Sequence, residues 1–203
     1  RLFVPVPLGA GISIMLNREQ SHYLVSVMRR PAGSPVILFN GSDGEWQGSL
    51  SHADRKAAAL TVETQLRRQK AEPDVWLLFA PLKKDRTDFV IEKATELGAS
   101  RIQPVMTAHT QTTRVNTERL QATATEAAEQ SRRLTVPHVA DAVSLAARLA
   151  NWPDARTLIY MDETGGGTPL ARILENVDGA VAFLIGPEGG FAADELDAKS
   201  AET

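Results

Sequence analysis

The chain has no cysteine. Disulfides, thiolate metal sites and cysteine nucleophiles are therefore excluded. Histidine is sparse: His22, His52, His109 and His138 lie far apart. That scatter argues against a metal centre, since ligands of one ion cluster at short, regular spacings. No apolar run approaches the ~18 residues that a membrane-spanning helix needs. The first residues, Arg1-Leu2-Phe3-Val4-Pro5, lack the charged, then apolar, then small-residue order of a secretory signal. A cytoplasmic location is the expectation from these absences. There is also no G-x-G-x-x-G fingerprint and no G-K-[ST] phosphate loop, which removes the usual nucleotide-dependent oxidoreductase and P-loop readings. Internal repeats and heptads are missing too.

What is present is an ordinary globular composition, 43% hydrophobic and 23% charged over 203 residues. That length accommodates one large or two small domains. Net charge is −3, but it is unevenly spread. Residues 1–72 hold nine Lys/Arg against six Asp/Glu, whereas residues 141–203 hold four against eleven. A basic half beside an acidic half suggests that the first part meets a polyanion.

The first ~70 residues read as mostly β, the size of one small domain. Short apolar runs occur at Leu2–Val6, Ile12–Leu16, Val36–Phe39 and Ala57–Val62. Asn40-Gly41-Ser42-Asp43-Gly44 is a turn signal, because Asn, Asp and Gly tolerate tight backbone reversals. One helical stretch, Arg18–Met28, interrupts the strands, and the pattern suggests a small barrel. A linker is expected near Gln69–Pro73. Beyond it strands and helices alternate. Val75–Ala80, Arg101–Met106, Leu158–Met161 and Ala180–Ile185 are strand candidates. Asp85–Leu97 (ended by Gly98), a helix capped by Asn116 and running to about Arg133, Ser144–Leu149 and Pro169–Leu174 are helix candidates. The alternation predicts an α/β domain, a parallel sheet with helices on both faces.

Three segments carry candidate chemistry. Leu184-Ile185-Gly186-Pro187-Glu188-Gly189-Gly190-Phe191 is a Gly-rich turn at the end of a buried strand. In α/β sheets such strand ends are where ligands bind. Pro187 offers no N–H and Glu188 repels anions, so the turn suits an uncharged or zwitterionic ligand held by backbone groups. Leu82-Lys83-Lys84-Asp85-Arg86 places three cations at a strand end and a helix start, where a phosphate is favoured. Glu126-Ala127-Ala128-Glu129-Gln130-Ser131-Arg132-Arg133 reads as a helix end whose Glu129 can pair with Arg132 or Arg133. Arg29-Arg30 and Arg67-Arg68-Lys70 are further basic clusters able to hold phosphates without reading sequence.

Taken in order, these segments resemble one family. Arg1-Leu2-Phe3, His22-Tyr23-Leu24, Met28-Arg29, Leu82–Arg86, Glu92-Lys93-Ala94-Thr95-Glu96-Leu97-Gly98, Glu126–Arg132 and Ile185–Phe191 together look like the RsmE ribosomal RNA methyltransferases of the SPOUT class. The resemblance implies a PUA-like, RNA-binding β-barrel over residues 1–70 and a SPOUT methyltransferase domain over 73–203. It also implies a C-terminal trefoil knot, a homodimer, and S-adenosylmethionine held by knot loops. The family continues past the region of Glu195 into a segment that these residues do not include, so the knot segment is expected to be incomplete here.

The implied reaction is methylation of N3 of a uridine near the 3′ end of 16S ribosomal RNA. The resemblance assigns Met161, Glu163, Leu184, Ile185, Gly186, Pro187, Gly189 and Gly190 to the cofactor. It assigns Arg1, His22, Arg29, Arg30, Lys83, Lys84 and Arg132 to RNA. Neutral uridine carries a proton on N3 that must leave. Arg86 is expected to stabilise the developing charge on uracil or to anchor its phosphate, and Glu188 or Glu129 to accept the proton directly or through water; no metal is required. The rival expectation is a non-catalytic module that binds ribosomal RNA during subunit assembly.

Overall fold

The computed structural model describes residues 1–112, 114–161, 166–192 and 195. The chain divides into two units. The first comprises Arg1–Ala71 with Ala128–Thr135, and the second Glu72–Ala127 with Val136–Thr203.

The first unit is a five-stranded mixed sheet. Its strands are β1 (Leu2–Phe3), β2 (Ser13–Met15), β3 (Pro35–Phe39), β4 (Glu45–His52) and β5 (Ala59–Arg67), in the order β1-β3-β4-β5-β2. β1 runs parallel to β3, and the other pairings are antiparallel. The hairpin between β3 and β4 turns where the Asn40–Gly44 signal lies. The Asn40 side-chain oxygen accepts the N–H groups of Ser42 and Asp43 at 3.0 and 2.8 Å, an Asx turn. Gly44, at φ +81°, ends the turn, and a Cβ there would stand 2.1 Å from the Arg67 carbonyl oxygen. Only glycine fits.

The alternating apolar residues of these strands, Val36, Leu38, Leu50, Leu60 and Val62 among them, meet Leu2, Val4 and Leu24 in one core. The expected helix Arg18–Met28 is two pieces. α1 (Arg18–His22) opens with an Asn17–Gln20 capping box, and a π-helical turn, Tyr23–Val27, follows. β4 escaped the sequence reading because its residues, Glu-Trp-Gln-Gly-Ser-Leu-Ser-His, include few apolar ones, and register shifts against β5 break the alternation.

The second unit is a parallel sheet. Its strands are β6 (Val75–Phe79), β7 (Arg101–Met106), β8 (His138–Val139), β10 (Thr157–Tyr160) and β11 (Val181–Ile185), in the order β10-β11-β6-β7-β8. β9 (Val143–Ser144) pairs further along β7. Helices α2 (Lys84–Glu96), α3 (Thr117–Ser131), α4 (Leu145–Ala150) and α5 (Leu170–Leu174) connect the strands. Successive strand residues face opposite ways. Thus Phe79 and Ile102 meet Ile91 and Ala94 of α2 and Leu120 and Ala124 of α3, while Leu78, Val105, Ala182 and Leu184 pack with Leu145 of α4. Helices therefore cover both faces. Among the described residues, no helix is long and apolar enough to cross a membrane.

The last turn of α3 and the residues after it belong to the first unit. Arg1 holds them. Its guanidinium donates to Glu45 Oε2 at 2.7 Å, to the Ala128 carbonyl at 2.7 Å and to the Arg133 carbonyl at 2.5 Å. Arg67 binds the other Glu45 oxygen at 3.0 Å and the Arg132 carbonyl at 2.7 Å. Burial opposes the Glu45 charge, but the hydrogen bonds from Arg1 and Arg67 outweigh it and hold the carboxyl below its ordinary range. Arg1, expected on RNA, is instead enclosed, with its side chain 7% exposed. Glu129, expected as a proton acceptor, receives the Phe3 N–H at 2.8 Å. Both residues anchor the end of α3 to β1 and β4.

Candidate active site

Parallel strands bring the loops that follow them to one edge of the sheet. β11, β6 and β7 are neighbours, so the turns after Ile185, Phe79 and Met106 lie side by side. They surround a cavity of about 160 Å³ lined by Pro81, Leu82, Lys83, Arg86, His109, Gln111, Thr112, Pro187, Glu188 and Gly189. The strand-end position is the one the fold class favours for ligands.

Each loop is fixed from below. The Leu82 carbonyl accepts the hydroxyls of Thr87 and Thr112, both at 2.9 Å, and Thr87 Oγ1 also receives the Leu82 N–H at 3.0 Å. This pins the segment before α2 and leaves Lys83 exposed at the helix N-cap with no side-chain capping bond. Arg86, one turn on, forms an ion pair with Glu188. Both side chains are about two-thirds exposed (66% and 69%), so the pair is worth at most ~1 kcal/mol and opens readily. After β7, Thr110 closes a tight turn on Thr107: its N–H donates to the Thr107 carbonyl at 3.1 Å, and its hydroxyl oxygen accepts the Thr107 N–H at 2.9 Å. That turn presents His109.

The Gly-rich turn folds back on its own strand. The Gly190 N–H reaches the Pro187 carbonyl at 3.0 Å. A Cβ on Gly186 would stand 2.5 Å from the Phe191 ring, which in turn packs edge-on against Tyr160 with centroids 5.2 Å apart. The Met161 N–H bonds the Leu184 carbonyl at 3.0 Å, joining the ends of β10 and β11. Among the described residues, the N–H groups of Gly186, Glu188 and Gly189 have no hydrogen-bond partner. These unengaged neutral donors, with the apolar Met161 and Ile185 at adjacent strand ends, fit a zwitterionic nucleoside-type ligand such as S-adenosylmethionine. Among the described residues, no three His, Asp or Glu side chains converge as metal ligands would.

The residues expected at the site are thus partly gathered. Lys83, Arg86, Pro187, Glu188 and Gly189 line the cavity, and Gly186, Gly190, Ile185 and Met161 flank the same sheet edge. Leu184 is buried, and its carbonyl is engaged by the Met161 N–H. Glu163 and the side chain of Lys84 lie outside the described residues. His22, Arg29, Arg30 and Arg132 are exposed in the first unit. His109 was missed. Its position just past the end of a central strand was the available signal.

Comparison with known proteins agrees with this architecture. The profile of an RNA methyltransferase domain matches residues 69–202, and that of an RNA methyltransferase PUA domain matches residues 16–63. The ribosomal RNA small subunit methyltransferase E of Rickettsia conorii is 31% identical over 97% of this chain and 81% of its own length. The protein of the same name from Synechocystis is 29% identical over 91% of this chain, which spans 62% of that relative. The crystal structure of a ribosomal RNA small subunit methyltransferase E from Neisseria gonorrhoeae, bound to S-adenosyl methionine, superimposes with a TM-score of 0.85 at 25% identity, over 98% of this chain and 84% of that one. With one matching profile spanning well over half of its residues, the chain belongs to the RNA methyltransferase family that includes the ribosomal RNA small subunit methyltransferases E.

Proposed function

We propose that this protein transfers a methyl group from S-adenosylmethionine to N3 of a uridine in 16S ribosomal RNA. The observation that carries the reading is the meeting of the Gly-rich turn with Lys83 and Arg86 around one cavity at the sheet edge. Neutral backbone donors on one side suit the cofactor, and cations on the other suit RNA.

When bound, S-adenosylmethionine supplies an electrophilic methyl group. The unpartnered N–H groups of Gly186 and Gly189, with Ile185, Pro187 and Gly190 beside them, would hold its polar groups, and Met161 would lie against its apolar parts. Lys83 contacts a phosphate. Arg86 leaves Glu188 to meet uracil, where its guanidinium stabilises the negative charge that grows on the ring oxygens as N3 loses its proton. The target base must be unpaired, because pairing covers N3. Arg29, Arg30, His22 and Arg132 of the first unit contact the RNA backbone, which accounts for the basic balance of residues 1–72.

The protein works in the cytoplasm, with its ribosomal substrate, as a homodimer. Supporting the dimer is an apolar groove on the second unit formed by Phe89, Val90, Leu97, Met161, Phe183 and Ile185. Leu97 there is 87% exposed, and contiguous exposed apolar surface of this kind marks protein contacts.

Calorimetric titration with S-adenosylmethionine separates the enzyme from a non-catalytic assembly module. Saturable binding is expected. RNA binding with no cofactor heat would favour the module.

A further inference from the structure

The reaction proposed above releases a proton, and among the residues that line the cavity His109 is a base already oriented to take it. Glu129 is bonded to Phe3 in the first unit, and once Arg86 has turned to uracil no other side-chain bond among the described residues aims the Glu188 carboxylate. His109 is different. Its Nδ1 lies 3.1 Å from the carbonyl oxygens of both Gly189 and Gly190. Carbonyl oxygens only accept, so Nδ1 carries the hydrogen. In the neutral ring Nε2 then has a free lone pair, and it has no partner among the described residues. The ring is exposed and lines the same cavity as Lys83 and Arg86.

A second tie holds this arrangement. The Glu195 carboxylate accepts the Ala108 N–H at 2.8 Å and the Ala192 N–H at 3.0 Å. The turn bearing His109 and the Gly-rich turn are therefore joined on both sides of the ring. A ring nitrogen fixed by a second group is the usual way a protein selects one tautomer and aims the other nitrogen.

We propose that His109 is the proton acceptor of this site, with Nδ1–H anchored on the Gly189 and Gly190 carbonyls and Nε2 presented to the substrate's imide proton. The inference rests on uridine N3 being the methylated atom. In the step, the N3–H bond breaks and its proton moves to Nε2. The electron pair left on N3 forms the new N–CH3 bond, while the pair of the broken S–CH3 bond stays on sulfur. The positive charge of the sulfonium is thereby replaced by that of imidazolium. The imidazolium keeps its Nδ1–H bonds, so the two carbonyl dipoles stabilise the charge it gains. The charged groups around the ring are Lys83, Arg86 and Glu188 in the cavity and Glu195 beside Ala108.

The test uses the full chain with small-subunit ribosomal RNA. His109→Asn keeps an N–H donor near the Nδ1 position and removes the base. Its turnover is expected to fall at least ~100-fold, the ordinary contribution of general base catalysis, with cofactor affinity unchanged by calorimetry. Wild-type turnover in His109→Asn would show a merely structural residue and overturn the proposal. Nitrogen-15 NMR of the unaltered protein is an independent check: the hydrogen is expected on Nδ1, and an Nε2–H tautomer would overturn it. Failure of the wild-type protein to form 3-methyluridine would overturn the underlying reading and this inference together, a result distinct from loss in the variant alone.

Discussion

Arg86 and Glu188, 102 residues apart in the chain, form an ion pair at the wall of the candidate cavity. One belongs to the first turn of α2, the other to the Gly-rich turn after β11. Because both are largely exposed, the pair is a weak closure that substrate can displace.

Arg86→Ala is expected to lower turnover by ~10²–10³, the range for losing one group that stabilises charge in a transition state. Cofactor affinity should stay within about twofold, because the contacts proposed for the cofactor are backbone groups. Glu188→Gln removes only Arg86's competitor and is expected to leave turnover within ~5-fold of wild type, as an exposed pair of ~1 kcal/mol allows. Steady-state methylation with radiolabelled cofactor measures both.

Gly186→Ala is expected to weaken cofactor binding about tenfold or more. The added Cβ would stand 2.5 Å from Phe191, and the ring would have to leave its contact with Tyr160. Overpacking of that kind costs ~1–3 kcal/mol. Calorimetric titration reads the loss, and unchanged affinity would show that the turn tolerates the side chain.

The first unit should lose stability in acid. Arg1 and Arg67 depress the Glu45 carboxyl despite its burial. A depressed carboxyl contributes stability that is fully present above its unfolded value of ~4.3 and is lost as pH falls through the folded value. Glu45→Gln should therefore destabilise near neutral pH, by ~3 kcal/mol as expected for breaking a largely buried pair. It should also flatten the decline below pH ~4. Urea unfolding across that range measures both.

Much of this was legible in the residues. Val75–Ala80 and Ala180–Ile185 are continuous apolar runs because β6 and β11 are inner strands, buried with Leu78 and Leu184 on one face and lining the apolar groove with Leu77 and Phe183 on the other, and Gly98 stops α2 where expected. The Asn40–Gly44 turn announced itself because its bonds are local. What was hidden depends on distant partners. Nothing near Glu129 reveals that it meets Phe3, or that Arg1 would be enclosed by Glu45 and the end of α3. Nor does His109, read in sequence, show the carbonyls of Gly189 and Gly190 eighty residues on.

If the proposed dimer forms through the apolar groove of the second unit, Leu97→Asp is expected to shift the protein toward monomer in light scattering, since it places a charge there. A wild-type protein that scatters as a monomer at working concentration would contradict the dimer.

The central claim is tested most directly by mass spectrometry of nucleosides from 16S ribosomal RNA incubated with the protein and S-adenosylmethionine. The account predicts 3-methyluridine at one position, dependent on both protein and cofactor. Methyl transfer to another base or atom, or RNA bound but left unmethylated, would contradict it.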